Sequence, residues 1–142
     1  MVDWIVPDTI ICGLAPEDQG EAPGDEIRIL VDSGSGVTAC PPWHAQSVPL
    51  EPSPNVVRAR TATGELVKHF GRKRVPYVFE CGESATITYE VLEVTRPVIS
   101  VGRLNKTGHT VVMAPSYANI SGGRGKVPLP LLQDNDVFFL VG

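Results

Sequence analysis

The stretch Ile27-Arg28-Ile29-Leu30-Val31-Asp32-Ser33-Gly34-Ser35-Gly36 decides how the chain is read. Its first five residues alternate and then end apolar, the pattern of a strand running into a core. The strand delivers a carboxylate, then a hydroxyl, then glycine. A charge at the inner end of an apolar strand needs a reason, because burying it unpaired is costly. Two such carboxylates in contact cannot both ionise and share one proton. One then accepts a proton from water while the other donates to a substrate carbonyl. Asp32 is therefore the candidate catalytic residue. Gly34 allows a sharp turn and a close approach of backbone, and the Ser33 hydroxyl is placed to hydrogen-bond across the site. Asp-Ser-Gly is also ordinary turn chemistry; the apolar strand before it singles Asp32 out.

Upstream, Trp4 to Leu14 is mostly apolar and predicts a strand, and Glu17 to Asp25 is an acidic stretch with Gly20, Pro23 and Gly24 that predicts an exposed loop. Residues 1–26 are expected to be an N-terminal extension or interface strand plus this loop, and 27–142 the domain proper. Downstream, five prolines between 41 and 55 predict a surface connection with at most one short strand. Val56 to Ala62 and Glu65 to Phe70 predict a hairpin with Thr63-Gly64 at its tip. Val75 to Glu80 and the β-branched Ala85 to Val94 predict two more strands. Pro97 to Gly102 is a short apolar run, Arg103 to Thr107 one helical turn stopped by Gly108, and His109 to Met113 a strand. Ser121 to Gly125 is a glycine-rich turn, and Val127 to Leu132 and Val137 to Val141 close the chain as strands. Fourteen glycines and thirteen prolines spread along the sequence fit many turns between short strands, an all-β architecture.

Composition removes several function classes. The 142 residues suit one domain, and 42% hydrophobic and 20% charged residues are globular usage. A formal charge of −4 opposes a general grip on nucleic acid. The cluster Arg72-Lys73-Arg74 reads as a solvated strand end. Cys12, Cys40 and Cys81 are odd in number and lack a Cys-x-x-Cys pair, which argues against a disulfide framework or a zinc site. Pro41-Pro42 forbids the helix that would aim Cys40 and His44 at one metal. No segment is apolar enough to span a membrane, and Met1 to Pro7 lacks the basic-then-apolar pattern of a signal peptide. The expectations are no metal, no cofactor, no nucleic acid, no membrane and a reducing compartment.

Val31-Asp32-Ser33-Gly34-Ser35 resembles the signature of retropepsin-type aspartic proteases. Val98-Ile99-Ser100-Val101-Gly102-Arg103-Leu104 is similar to the second apolar-to-glycine element of that family, especially in copia-type retrotransposon proteases. Between them Ala62-Thr63-Gly64 resembles the turn at the flap tip. Gly108 to Met113 and the terminal Val137 to Leu140 follow the same order of elements, so the resemblance covers roughly 27–141. It implies a closed retropepsin-like β-barrel with at most one short helix, forming half of a two-fold dimer. Of seven aspartates only Asp32 follows an apolar strand and precedes Ser-Gly, so one chain supplies one carboxylate and the homodimer supplies the pair.

By the same resemblance Ser33 braces the partner's loop, and Ala62, Thr63 and Gly64 form a flap over an extended peptide or polyprotein substrate. Val98, Ile99, Val101 and Gly102 line or support the pocket. The implied activity is peptide hydrolysis without a covalent intermediate, with an acidic to near-neutral optimum. The implied task is processing a retroelement polyprotein in the cytoplasm or within retroelement particles. Three departures stand out: Ser35 replaces a more usual alanine or threonine on the substrate side, Ser100 interrupts an apolar run, and the segment before Ile27 has no counterpart in the family.

The sequence also admits three other readings. Gly34-Ser-Gly36-Val-Thr-Ala39 fits a dinucleotide-binding G-x-G-x-x-A, with Glu51 near the spacing of a ribose-binding acid, but it needs a helix that Cys40-Pro41-Pro42 ends at once. Serine hydrolysis lacks G-x-S-x-G, and His44, His69 and His109 have no recognisable place in a triad. A catalytically silent dimerisation or peptide-binding module keeps the fold and drops the chemistry.

Overall fold

The strand that opens the domain, β2 (Arg28–Asp32), is buried on both faces, which explains its unbroken apolar run. Ile29 and Val31 face the main core, while Leu30 packs on the other side with Val98, Phe139 and Val141. The computed structural model describes residues 5–11, 27–61, 63–79, 81–122 and 128–142. The acidic stretch Glu17 to Asp25, Ala62 and most of the glycine-rich turn lie outside them.

Along the chain follow β1 (Ile5–Ile11), β2, β3 (Ala39–Cys40), β4 (Val56–Thr61), β5 (Leu66–Val67), β6 (His69–Val78), β7 (Ser84–Leu92) and β8 (Val98–Ser100). After these come α1 (Val101–Lys106), β9 (Thr110–Met113), β10 (Ala118–Ser121), β11 (Leu129–Pro130), β12 (Leu132–Asp134) and β13 (Val137–Val141). The largest sheet has seven strands in the order β12-β13-β2-β8-β3-β7-β6. Two three-stranded sheets, β1-β4-β5 and β11-β10-β9, accompany it. The protein is thus mostly β with one short helix among the described residues. None of those helical residues is part of a segment long and apolar enough to cross a membrane.

The closed barrel expected of the chain is corrected: among the described residues the large sheet stays open, ending at β12 and β6. Both edges explain this. The outer side of β6 meets only one isolated bridge, Glu51 to Arg72, because the prolines around it prevent a continuous strand. At the other edge β12 is only three residues long and exposed throughout.

Local expectations also change, among them that Glu65 to Phe70 and Val75 to Glu80 are separate strands: β6 runs unbroken from His69 to Val78. Arg72-Lys73-Arg74 is not a solvated strand end but the middle of β6. Lys73 is buried and its ammonium donates to the carbonyls of Pro42 and His44 at 3.0 Å, with Ala45 at 3.5 Å. The proline-rich connection is accordingly not a mere surface strap. Pro41 and His44 are fully buried, and His44 Nε2 pairs with the Tyr77 hydroxyl, which in turn meets that of Tyr89 at 2.8 Å. Lastly, Ala118–Ser121 forms a strand that pairs with both β9 and β11 and was not expected from its sequence.

Candidate active site

Asp32 is the last residue of β2, at the point where the strand becomes the turn Ser33-Gly34. One carboxylate oxygen, Oδ1, accepts the Gly34 N–H at 2.7 Å, an Asx-type turn that the short side chain and the glycine permit. The other, Oδ2, is shielded from solvent and has no hydrogen-bond partner among the described residues. A shielded acceptor with no donor is expensive, and folds retain such costs mainly where function needs them.

The loop after Asp32 is held from beneath by β8. That strand lies between β2 and β3, parallel to the first and antiparallel to the second. It therefore spans the two ends of the loop. Asp32 and Ser100 are register partners. Ser100 is fully buried; its hydroxyl donates to the Ser35 carbonyl at 2.7 Å and accepts the Arg103 N–H at 3.2 Å, while its own N–H donates to Thr38 Oγ1 at 3.1 Å. One side chain thus ties down the loop and caps α1. The cap starts the helix at Val101, two residues before the turn expected at Arg103. Thr107 closes it, and Gly108 at φ 87° takes the chain away.

The remaining sequence-derived site residues divide. Ser33 and Gly34 are exposed beside Asp32. Ser35 is buried rather than substrate-facing: its hydroxyl donates to the Val37 carbonyl at 2.6 Å and accepts the Val37 N–H at 3.3 Å. Val98 and Ile99 are buried in the core, Val101 packs against it, and Gly102 is exposed on α1. Thr63 and Gly64 are exposed at the turn between β4 and β5, with Gly64 at φ 91°, where glycine is favoured. Ala62, assigned to the same flap tip, lies outside the described residues. The base of that hairpin, Val57, Ala59 and Val67, packs on Val37 and Ala39, which continue the Asp32 loop.

No protein-family model, curated protein or solved structure matches this chain.

Beside the loop lies a cleft of about 590 Å³. Gly36, Val37, Thr38 and Ile99 form part of its wall, whereas Asp32 does not. The dinucleotide reading fails here: residues 36–40 run into β3 instead of opening a helix, and Glu51 is engaged by Arg74 through two hydrogen bonds of 3.0 Å. Nothing in the sequence marks Thr38 as a brace, and Ser100 stands there as an interruption of an apolar run. Ser100 did carry a signal, since a serine directly before a helical turn is the common N-cap. Thr38 carried none, because its partner lies far along the chain.

Proposed function

We propose that this chain is one subunit of a homodimeric aspartic endopeptidase of the retropepsin type, with Asp32 from each subunit meeting on the two-fold axis. The single observation that supports the reading best is the Asp32 carboxylate. It stands at the end of a buried strand, oriented through Oδ1 and unmatched at Oδ2. A second copy brought against the exposed Ser33-Gly34 turn supplies what one chain lacks.

In that dimer the two carboxylates share one proton. The ionised one takes a proton from a bound water, whose oxygen bonds to the scissile carbonyl carbon. The protonated one gives its proton to the carbonyl oxygen. Collapse of the resulting diol breaks the C–N bond, the amine leaves with a proton, and the pair again holds one. The chemistry uses only the two aspartates and water. The β4–β5 hairpin serves as the flap that covers an extended peptide and excludes solvent. The natural substrate is a retroelement polyprotein.

The test is cleavage of a diverse peptide library by wild type and Asp32→Asn from mildly acidic to neutral pH, read by mass spectrometry, with the dimer fraction measured by sedimentation. Cleavage lost in the variant is expected. Equal cleavage by both removes Asp32 from the mechanism. A dimeric wild type that cuts nothing is the silent peptide-binding module instead.

A further inference from the structure

Three side-chain donors converge on one buried carboxylate at the root of the β4–β5 hairpin. Glu90 Oε1 accepts from Ser53 Oγ at 2.6 Å and from His69 Nε2 at 2.9 Å, and Oε2 accepts from Asn55 Nδ2 at 2.8 Å. His69 Nε2 also faces the Gly71 carbonyl at 3.0 Å, and since both its neighbours are acceptors, this nitrogen carries the proton. Ser53 and Asn55 lead into β4, and His69 follows β5 to open β6. Both ends of the hairpin are therefore fastened to one side chain.

Glu90 is also fixed to the loop that leaves Asp32. Its N–H donates to the Thr38 carbonyl at 3.0 Å, and its register partner on β3 is Ala39. Across the β6–β7 pair its register partner is Arg72, the ordinary place for an ion pair. The hydrogen bonds of the carboxylate go instead to the two hairpin roots. A buried carboxylate is tolerated only when its oxygens are well supplied with donors, and charge-assisted bonds of this kind are the strong ones. The geometry is more than packing requires, for an apolar residue would fill the same place in β7 without needing any of these donors.

We infer that Glu90 is a clasp: it sets the position of the β4–β5 hairpin relative to the Asp32 loop and limits how readily the hairpin opens. It is a positioning residue, acting through Ser53, Asn55 and His69. Its bearing on catalysis rests on reading that hairpin as the flap of an aspartic protease.

Hydrogen exchange of the full chain, read by mass spectrometry, tests the clasp without relying on activity. Glu90→Met fills the same place in β7 and leaves the Ser53, Asn55 and His69 donors without their acceptor. Hairpin amides over 57–67 are expected to exchange about tenfold or more faster, while β2 and β13 keep wild-type protection. Glu90→Gln keeps an acceptor for Ser53 and His69, and its amide N–H₂ can donate to Asn55 Oδ1 once the Asn55 amide turns over, so it is expected to stay near wild-type exchange. Unchanged hairpin exchange in Glu90→Met overturns the clasp, as does equal loss of protection in β2 and β13, which marks a global stability role.

In the peptide assay Glu90→Met is expected to raise KM about tenfold and to change kcat less. A fall in kcat alone contradicts the flap-positioning role. A chain with faster hairpin exchange but no Asp32-dependent cleavage keeps the clasp and overturns the protease reading.

Discussion

Asp32 and Ser100 end their strands side by side, register partners across the parallel pairing of β2 with β8. The chain leaves Asp32 into a loop and leaves Ser100 into a helix, and the Ser100 hydroxyl joins both departures. The carboxylate is thus positioned by a residue from a distant part of the sequence.

Ser100→Ala removes the donor to the Ser35 carbonyl and the cap of α1 together. A loss of about 1–3 kcal/mol in urea unfolding is expected. Ser100→Thr keeps the hydroxyl and is expected to lose less. With Asp32-dependent cleavage as the readout, Ser100→Ala should lower kcat more than it raises KM, because the loop carrying the carboxylate loosens while the flap is untouched.

Lys73 is buried, with its ammonium donating to three backbone carbonyls. Lys73→Met retains much of the stem packing but leaves those carbonyls short of a donor. A destabilisation of about 2–3 kcal/mol is expected in chemical denaturation. Lys73→Arg should not restore it, since a planar guanidinium does not fit where a compact ammonium meets converging carbonyls.

Gly71 and Gly64 both have positive φ, yet alanine should affect them differently. A Cβ at Gly71 would lie 2.4 Å from the backbone oxygen of Glu51, on a backbone held by the Glu51–Arg72 bridge. Gly71→Ala is therefore expected to cost more than about 3 kcal/mol. At Gly64 a Cβ meets nothing within 4 Å, so only the strain of φ 91° remains, about 1 kcal/mol. Thermal unfolding of the two variants side by side checks the ranking.

The Arg74 hydrogen bond and charge hold the Glu51 carboxyl below the usual carboxylate range, partly offset by desolvation, with Arg72 adding a smaller charge effect. Arg74 is raised in return, chiefly by the same hydrogen bond. A folded-state carboxyl that is lowered contributes stability above its unfolded pKa and loses it as pH falls through the folded value. Arg74→Gln should move the Glu51 titration up toward its ordinary position, read by carboxyl carbon NMR. Stability at neutral pH should barely change, because the pair lies at the surface.

Much of the architecture was legible locally. Alternation and an apolar ending marked β2, Thr63-Gly64 marked the hairpin turn, and Gly108 marked the end of the helix. These signals act between residues a few positions apart, so neighbours in the sequence suffice to show them. For the same reason Asp32 was picked out at the end of its strand, and the mostly β character followed from short strands between glycines and prolines.

Other features depended on residues meeting across the chain. The Ser100 hydroxyl reaches Ser35, 65 positions away, because β8 passes between β2 and β3. Lys73 is buried because the proline-rich segment folds over β6 and presents carbonyls to it, so a basic triplet that looks solvated in sequence became an internal brace. Glu90 looked like one charge in a β-branched strand; only the approach of Ser53, Asn55 and His69 gives it a task. The open edges of the large sheet were likewise decided in three dimensions, where strand length and proline placement determine which backbone groups can still find partners. By itself the sequence determined the mostly β character and where a carboxylate ends a strand; tertiary structure decided what holds that carboxylate, because hydrogen bonds between distant residues exist only after the strands have chosen their neighbours.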